Sequence, residues 1–435
     1  MSRLLTRRSV LVGSLVAAGA ATLAACGGSD SGSGSGSGDS NTLTVWCWDP
    51  AFNIYAMQEA EKIYQKDHPD FKLDIVEVVW DDIQQKVTTL AQSGDLDQLP
   101  DIFLCQNMAA QKNIINYPDV FADLTDSGID FGEFPESVVE YSTVDGANWA
   151  VPFDSGTAVT ALRTDILEQA GYTVADFTDI TWTRFIELGK DILAKTGRPM
   201  LSNQTGASDL VMMMIQSAGA SLFDADGKVT ITNNPALTRA AEIYKELVDS
   251  KILIEVNSWD EYVGTLVNDQ VNATINGIWI SGSIQTAEDQ SGKWAITNVP
   301  SLDGVDGATN YTANGGSSWV VTAEANYDLA TDFLKSTYAG STEFYDTILP
   351  SSGAIANWIP AGESEVYQEP VEFYGGQAVY ADVVAYSEKV PSINTGVYYY
   401  EGRDAVAAAV TQIVDGADPA SAFADAQKTT EFAAS

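Results

Sequence analysis

Between Thr42 and Cys105 the apolar residues switch from a period of two to a period near 3.6 and back, twice over. Thr42-Leu43-Thr44-Val45-Trp46 reads as a short strand. Tyr55, Ala56, Ala60, Ile63 and Tyr64 then return at helical spacing, and His68-Pro69-Asp70 stops that helix. Phe71, Leu73 and Ile75 alternate and run on into Val76, Val78 and Val79, a second strand. Ile83, Val87, Leu90 and Ala91 form a second helical face up to Gly94, and Pro100 to Cys105 is a third, continuous apolar strand. Strand, helix, strand, helix, strand implies a parallel sheet covered on both faces, so the fold class is α/β. Ligands of such sheets bind beyond the carboxyl ends of the strands. That rule places Trp46, Trp48, Asp49, Gln106 and Asn107 at a mouth. Alternation puts Trp46 and Trp48 on one face; we assign Trp48 to the mouth. Asp49 fits a hydrogen-bonding role there, or a helix cap.

The pattern continues with less regularity. Trp149 to Asp154 is strand-like and leads into Ala158 to Leu162. Asp165 to Ala170 is a short helix ended by Gly171. Trp182, Phe185, Ile186, Gly189 and Leu193 share a helical face in which Trp182 is packing, and Asn234-Pro235 opens a helix with a cap and a first-turn proline. Val271 to Ile275 is a strand leading to Asn276-Gly277-Ile278-Trp279, and Asn314-Gly315-Gly316-Ser317 is a turn entering another. Asp328 to Tyr338 and Gly402 to Val414 are helical. Asp224-Ala225-Asp226-Gly227-Lys228 begins like a calcium loop but has Lys228 in the fifth place and Pro235 where the bidentate glutamate belongs. It reads as a hairpin turn instead.

The amino terminus bounds the compartment. Arg3, Arg7 and Arg8 precede an apolar run from Val10 to Ala21, and Leu23-Ala24-Ala25-Cys26 follows. Basic, then apolar, then small residues is a secretory signal, here residues 1–25; Arg7-Arg8-Ser9 also partly matches a twin-arginine signal. The run is too short for a comfortable membrane span. Gly27 to Ser40 is almost wholly Gly, Ser and Asp, a flexible tether. The formal charge is −38; the signal holds three of the 22 basic residues and no acid, leaving 19 against 60, a net of −41. Such a surface repels nucleic acid and anionic lipid. One histidine, His68, argues against a zinc site and against histidine-dependent catalysis. No cofactor or metal is expected. Ten tryptophans and 18 tyrosines suit a site built by stacking.

Leu23-Ala24-Ala25-Cys26 resembles the bacterial lipobox, which implies that Cys26 is acylated and tethers the chain to the outer face of the membrane. The order of Leu43-Thr44-Val45-Trp46, Pro100-Asp101-Ile102, Val151-Pro152-Phe153-Asp154, Arg163-Thr164-Asp165-Ile166-Leu167, Trp182-Thr183-Arg184-Phe185, Asn276-Gly277-Ile278-Trp279, Gly315-Gly316-Ser317 and Ala330-Thr331-Asp332-Phe333-Leu334 resembles the extracellular solute-binding proteins of ABC importers. The likeness is to the carbohydrate-binding kind related to maltose-binding protein. It implies a periplasmic-binding-protein-like fold with two α/β lobes and a ligand cleft between them. Residues 41–153 and about 302–345 would form one lobe, and 154–301 with about 346–435 the other. It also implies an oligosaccharide ligand, the importer's membrane subunits as partner, and a monomer.

In the resembling family a tryptophan at the place of Trp279 stacks on a sugar ring; here its position after a strand and a glycine exposes the ring, the alternative being core between the lobes. An aromatic residue opens the last helix in that family, which picks Tyr399 from Tyr398-Tyr399-Tyr400. Asp154, Gln106, Asn107 and Asn203 can bond hydroxyls, Asn203 equally being a turn residue. Gly315 belongs to the glycine turn at the cleft, and Trp358 in its polar loop is a cleft lid or a surface anchor. Cys47 and Cys105 lie on strands that are neighbours in the resembling fold, and their pairing is left open. The competing function is a lipoprotein glycoside hydrolase, which needs two carboxylates across the cleft.

Overall fold

The structure, a computed structural model, describes residues 41–224 and 226–435. Cys26, the leader and the tether lie outside the described residues. The strands that position the cleft are β1 (Thr42–Cys47), β2 (Lys72–Glu77), β3 (Ile102–Gln106), β4 (Val151–Asp154), β5 (Ala158–Arg163), β6 (Leu201–Gln204), β7 (Leu253–Val256), β8 (Ala273–Gly277), β9 (Trp294–Thr297) and β10 (Ser317–Val321). The helices used below are α1 (Asn53–Tyr64), α2 (Trp80–Ser93), α3 (Asn107–Asn116), α4 (Trp182–Thr196), α5 (Asp209–Ser217), α6 (Pro235–Asp249), α7 (Trp259–Val267), α8 (Thr342–Ser352), α9 (Tyr399–Val414) and α10 (Pro419–Ala433).

The first sheet has the order β2-β1-β3-β10-β4. As the period switches predict, β1 pairs in parallel with both β2 and β3. The other two strands, β10 and β4, run antiparallel to their neighbours. Side-chain alternation divides the apolar residues between two layers. Leu43, Val45, Leu104, Val151, Phe153 and Trp319 face one core, with α1 and α8 against it. Phe103, Cys105 and Val320 face the other, covered by α2 and α3.

The second sheet, β8-β5-β9, is antiparallel throughout. Its central strand β5 is buried at every position, because both faces are covered. Ala158 and Leu162 join a core with α4, α5, α6, α9 and α10, while Val159 and Ala161 face a separate cluster with α7 and Trp294. Trp182 is buried in the first of these, as expected of a packing residue. Asn234 caps α6 by accepting from the Leu237 amide at 3.1 Å. The Asp224 region is the hairpin the sequence suggests, with Phe223 bridged to Val229.

Three segments pass side by side between the sheets. Asn314 N donates to Gly156 O (2.7 Å) and Ala158 N to Thr312 O (2.9 Å). Ser155 N donates to Ile355 O (2.9 Å), and the Asn357 amide to Asp154 O (2.7 Å). Gly156 is required here: a Cβ would lie 2.6 Å from Asn314 O and 2.7 Å from Gly315 C and O. Position 346 falls inside α8, and Ala354, Trp358 and Ala361 after it sit in the core against the first sheet.

Cys47 and Cys105 are free thiols. Neighbouring strands carry them, but Cys47 points into the α1 layer and Cys105 into the α2–α3 layer, so the sheet itself separates them. Burial pushes both thiols up, Cys105 to about 12, which leaves them protonated and unreactive.

Candidate ligand cleft

Two recesses meet at Asn314. The first, about 500 Å³ counting the open solvent at its mouth, is lined by Asn203 and Gln204 of β6, Asp209 and Met213 of α5, Trp259 and Tyr262 of α7, and Asn276 of β8. The second, about 340 Å³ counting the open solvent at its mouth, is lined by Met108 of α3, Met212 and Ile215 of α5, and Tyr399 at the start of α9. Adjacent residues Met213 and Met212 thus serve different recesses.

In the first recess Trp259 stands in the opening turn of α7, whose cap is the Ser258 hydroxyl accepting from the Glu261 amide at 3.2 Å. The residue is 38% exposed, and its ring leans on Trp279 (5.8 Å, 39°) and Tyr262 (5.2 Å, 41°). Asn203 lies here too; its amide nitrogen donates to Ala207 O (3.2 Å) and the Tyr244 hydroxyl (3.0 Å), which aims the amide oxygen elsewhere. Asp209 faces the Arg403 guanidinium at 3.7 Å. A half-exposed tryptophan among amide and carboxylate groups can stack on the apolar face of a pyranose while those groups bond its hydroxyls.

Tyr399 lines the second recess. Burial pushes its phenol above the ordinary range, so it stays a neutral hydroxyl. Beside it a chain of rings runs from the turn after β1 to the start of α9. Trp48 meets Trp80 at 5.4 Å, Trp80 meets Tyr400 at 6.2 Å, and Tyr400 meets Tyr399 at 5.4 Å. The Tyr400 hydroxyl donates to the Gln106 side-chain oxygen, and Lys112 of α3 pairs with Glu401. Trp48 and Gln106 line neither recess and are committed to aromatic and α9 contacts respectively.

The other candidates serve the framework. Trp279 lines neither recess: its ring packs on two cores, and its Nε1 donates to Asn314 O at 2.8 Å. Gly315, at φ +81°, lies beside that indole. One Asp49 oxygen accepts from the Ala51 and Phe52 amides (2.9 and 3.1 Å), the turn that leads into α1. Asn107 is 5% exposed and accepts from the Ser318 hydroxyl at 2.7 Å. Asp154 is 2% exposed and accepts from Ser317, its amide at 3.0 Å and its hydroxyl. Both hold β10 rather than reach across a cleft. Trp358 is a core residue, not a lid: it is buried, stacks on Tyr345 (6.4 Å, 23°), and donates to the Glu133 carboxylate at 2.8 Å. Sequence reasoning passed over Trp80, Gln204, Asp209, Trp259 and Tyr400; the Ser258-Trp259-Asp260-Glu261 run, a helix-start signature, was the available signal for Trp259.

Burial raises the Asp154 carboxyl to about 6, against the bonds from Ser317 that favour its ionised form. A carboxyl whose pKa is higher folded than unfolded adds most stability below its unfolded value and loses that contribution as pH rises through 6. Asp154→Asn keeps an acceptor for Ser317 and removes the buried charge. At pH 7 the variant should be more stable, on the order of 2–3 kcal/mol, with the gap closing as pH falls from 6 to 4. Denaturant titrations across that range check it; a variant less stable than the parent at pH 7 contradicts it.

Comparison with known proteins agrees with this architecture. The family model described as bacterial extracellular solute-binding protein matches residues 59–349. The chain is 40% identical over 375 residues to the lactose-binding protein of Rhizobium radiobacter, covering 86% of this chain and 88% of that one. It is 26% identical over 304 residues to the arabinooligosaccharide-binding protein of Bacillus subtilis strain 168, 67% and 68% of the two chains. Among solved structures, the ABC transporter associated binding protein of B. animalis subsp. lactis Bl-04, in complex with beta-1,6-galactobiose, superposes with a TM-score of 0.76 at 18% identity over 91% of this chain and 96% of the other. With the family model spanning well over half its length and a relative at 40% identity across most of both chains, the protein belongs to the bacterial extracellular solute-binding proteins.

Proposed function

We propose that this chain is the sugar-capturing subunit of an ABC importer: it takes a neutral di- or oligosaccharide into the cleft and delivers it, unaltered, to the membrane permease. The observation that carries the reading is the first recess, where half-exposed Trp259 stands among Asn203, Gln204 and Asp209. The lactose-binding relative supports the substrate class. Trp259 acts as the stacking platform and Trp279 as its buttress. One lobe is residues 41–153 with the stretch from β10 through α8 to Ala361, and the other is the rest, with Leu302, Val305 and Ala308 in its core. Ligand draws the lobes together by a hinge at the three crossings, and the closed monomer docks on the permease.

Calorimetric titration with lactose, beta-1,6-galactobiose and maltose, followed by chromatography of the sugar, tests this. Binding of at least one, with the sugar recovered intact, is expected. Cleaved product would make the protein a hydrolase, and no binding would sink the sugar reading.

Acylated Cys26 holds the protein at the outer face of the membrane. Cys26→Ser should release it to the medium or leave an uncleaved precursor, visible by fractionation and blotting; unchanged membrane retention of a processed chain would refute the anchor.

A further inference from the structure

The second recess differs in chemistry from the first. Met108, Met212, Ile215, Leu222, Ile393 and Tyr399 dominate its wall. Part of the remaining polar capacity is already used within the protein. Gln216 Oε1 accepts from the Thr312 hydroxyl (2.8 Å) and the Ala313 amide (2.9 Å), the Ser221 hydroxyl donates to Asn394 O, and the Asn314 amide donates to Asn276 (2.9 Å). A hexose placed here would bring three or four hydroxyls to a wall of thioethers and branched alkyl groups, and each hydroxyl left without a partner costs affinity. An aromatic ring meets no such cost. Thioether sulfurs contact aromatic rings favourably, and here they come from both lobes, Met108 from α3 and Met212 from α5.

We infer that the second recess takes an aryl aglycone, so that the ligand is an aryl glycoside whose sugar occupies the first recess and whose ring passes Asn314 into the second. The inference rests on the sugar-binding reading and narrows it. The glycosidic oxygen lies over Asn314, the residue both recesses share. Because the ring touches residues of both lobes, filling this recess also favours closure.

The test uses matched methyl and phenyl β-glycosides of lactose, cellobiose and galactobiose, titrated calorimetrically into the whole protein. In any pair that binds, the phenyl member is expected to be tighter by about tenfold or more, from the apolar area removed from water. Met108→Gln, at a half-buried position, should bring that ratio close to one. Trp259→Ala should weaken both members and keep the ratio. Equal affinities within a bound pair, or a ratio untouched by Met108→Gln, overturn the aryl subsite while leaving the sugar reading intact. Failure of every pair to bind overturns both.

Discussion

Gly156→Ala is expected to destabilise the protein by about 3 kcal/mol or more, the upper range for inserting a methyl group where nothing can yield. The backbone of Gly156 itself is ordinary; the cost is steric. The new Cβ would lie within 2.7 Å of three backbone atoms of Asn314 and Gly315, which belong to the next crossing segment and cannot rotate away as a side chain could. Ligand affinity should fall with stability, since Asn314 borders both recesses. Gly264→Ala provides the control. Gly264 sits within α7, where a Cβ finds its nearest neighbour at 3.8 Å, so the exchange should stabilise by about 0.4–1 kcal/mol. Urea titrations of the two variants decide the matter; a Gly156→Ala loss below about 1 kcal/mol would show that the crossings are not packed as described.

Trp259→Ala should weaken sugar binding by on the order of 2–4 kcal/mol, as expected for an aromatic hot spot, roughly thirtyfold to thousandfold in Kd. Its melting temperature should change little, because the residue is already 38% exposed. Trp279→Ala should behave in the opposite way, losing about 3 kcal/mol of stability. That ring packs on two cores, and its N–H holds a crossing segment. Calorimetry and thermal melts on the same preparations separate the two roles. Intact affinity in Trp259→Ala would remove it as the platform.

The parallel core of the first sheet was legible because its period is strong and its residues are contiguous. Helix α5 was not legible: Leu210 to Ser217 is buried on every side, so no polar face marks a period. The site residues divide along a similar line. The sequence correctly sets Asn107 and Asp154 at strand ends, but what consumes their polar groups lies far along the chain, Ser318 at a separation of 211 residues and Ser317 at 163. Trp358 reads as a loop residue until Glu133, 225 positions away, takes its N–H. Asn203 and Tyr399 line the recesses at positions that local strand and helix boundaries fix. Trp259 needed the knowledge that a short capped helix opens onto a recess whose other walls are β6, α5 and β8.

The two cysteines give each layer of the first sheet its own chemical clock. Cys47 sits beneath α1 and Cys105 beneath α2 and α3, both buried and both with thiols held protonated. An alkylating reagent reaches either one only when the layer above it lifts. Mass-resolved labelling of the native protein therefore times the opening of each layer separately, with no engineered probe, and repeating it with sugar present reads how far occupancy of the cleft tightens each side of the lobe.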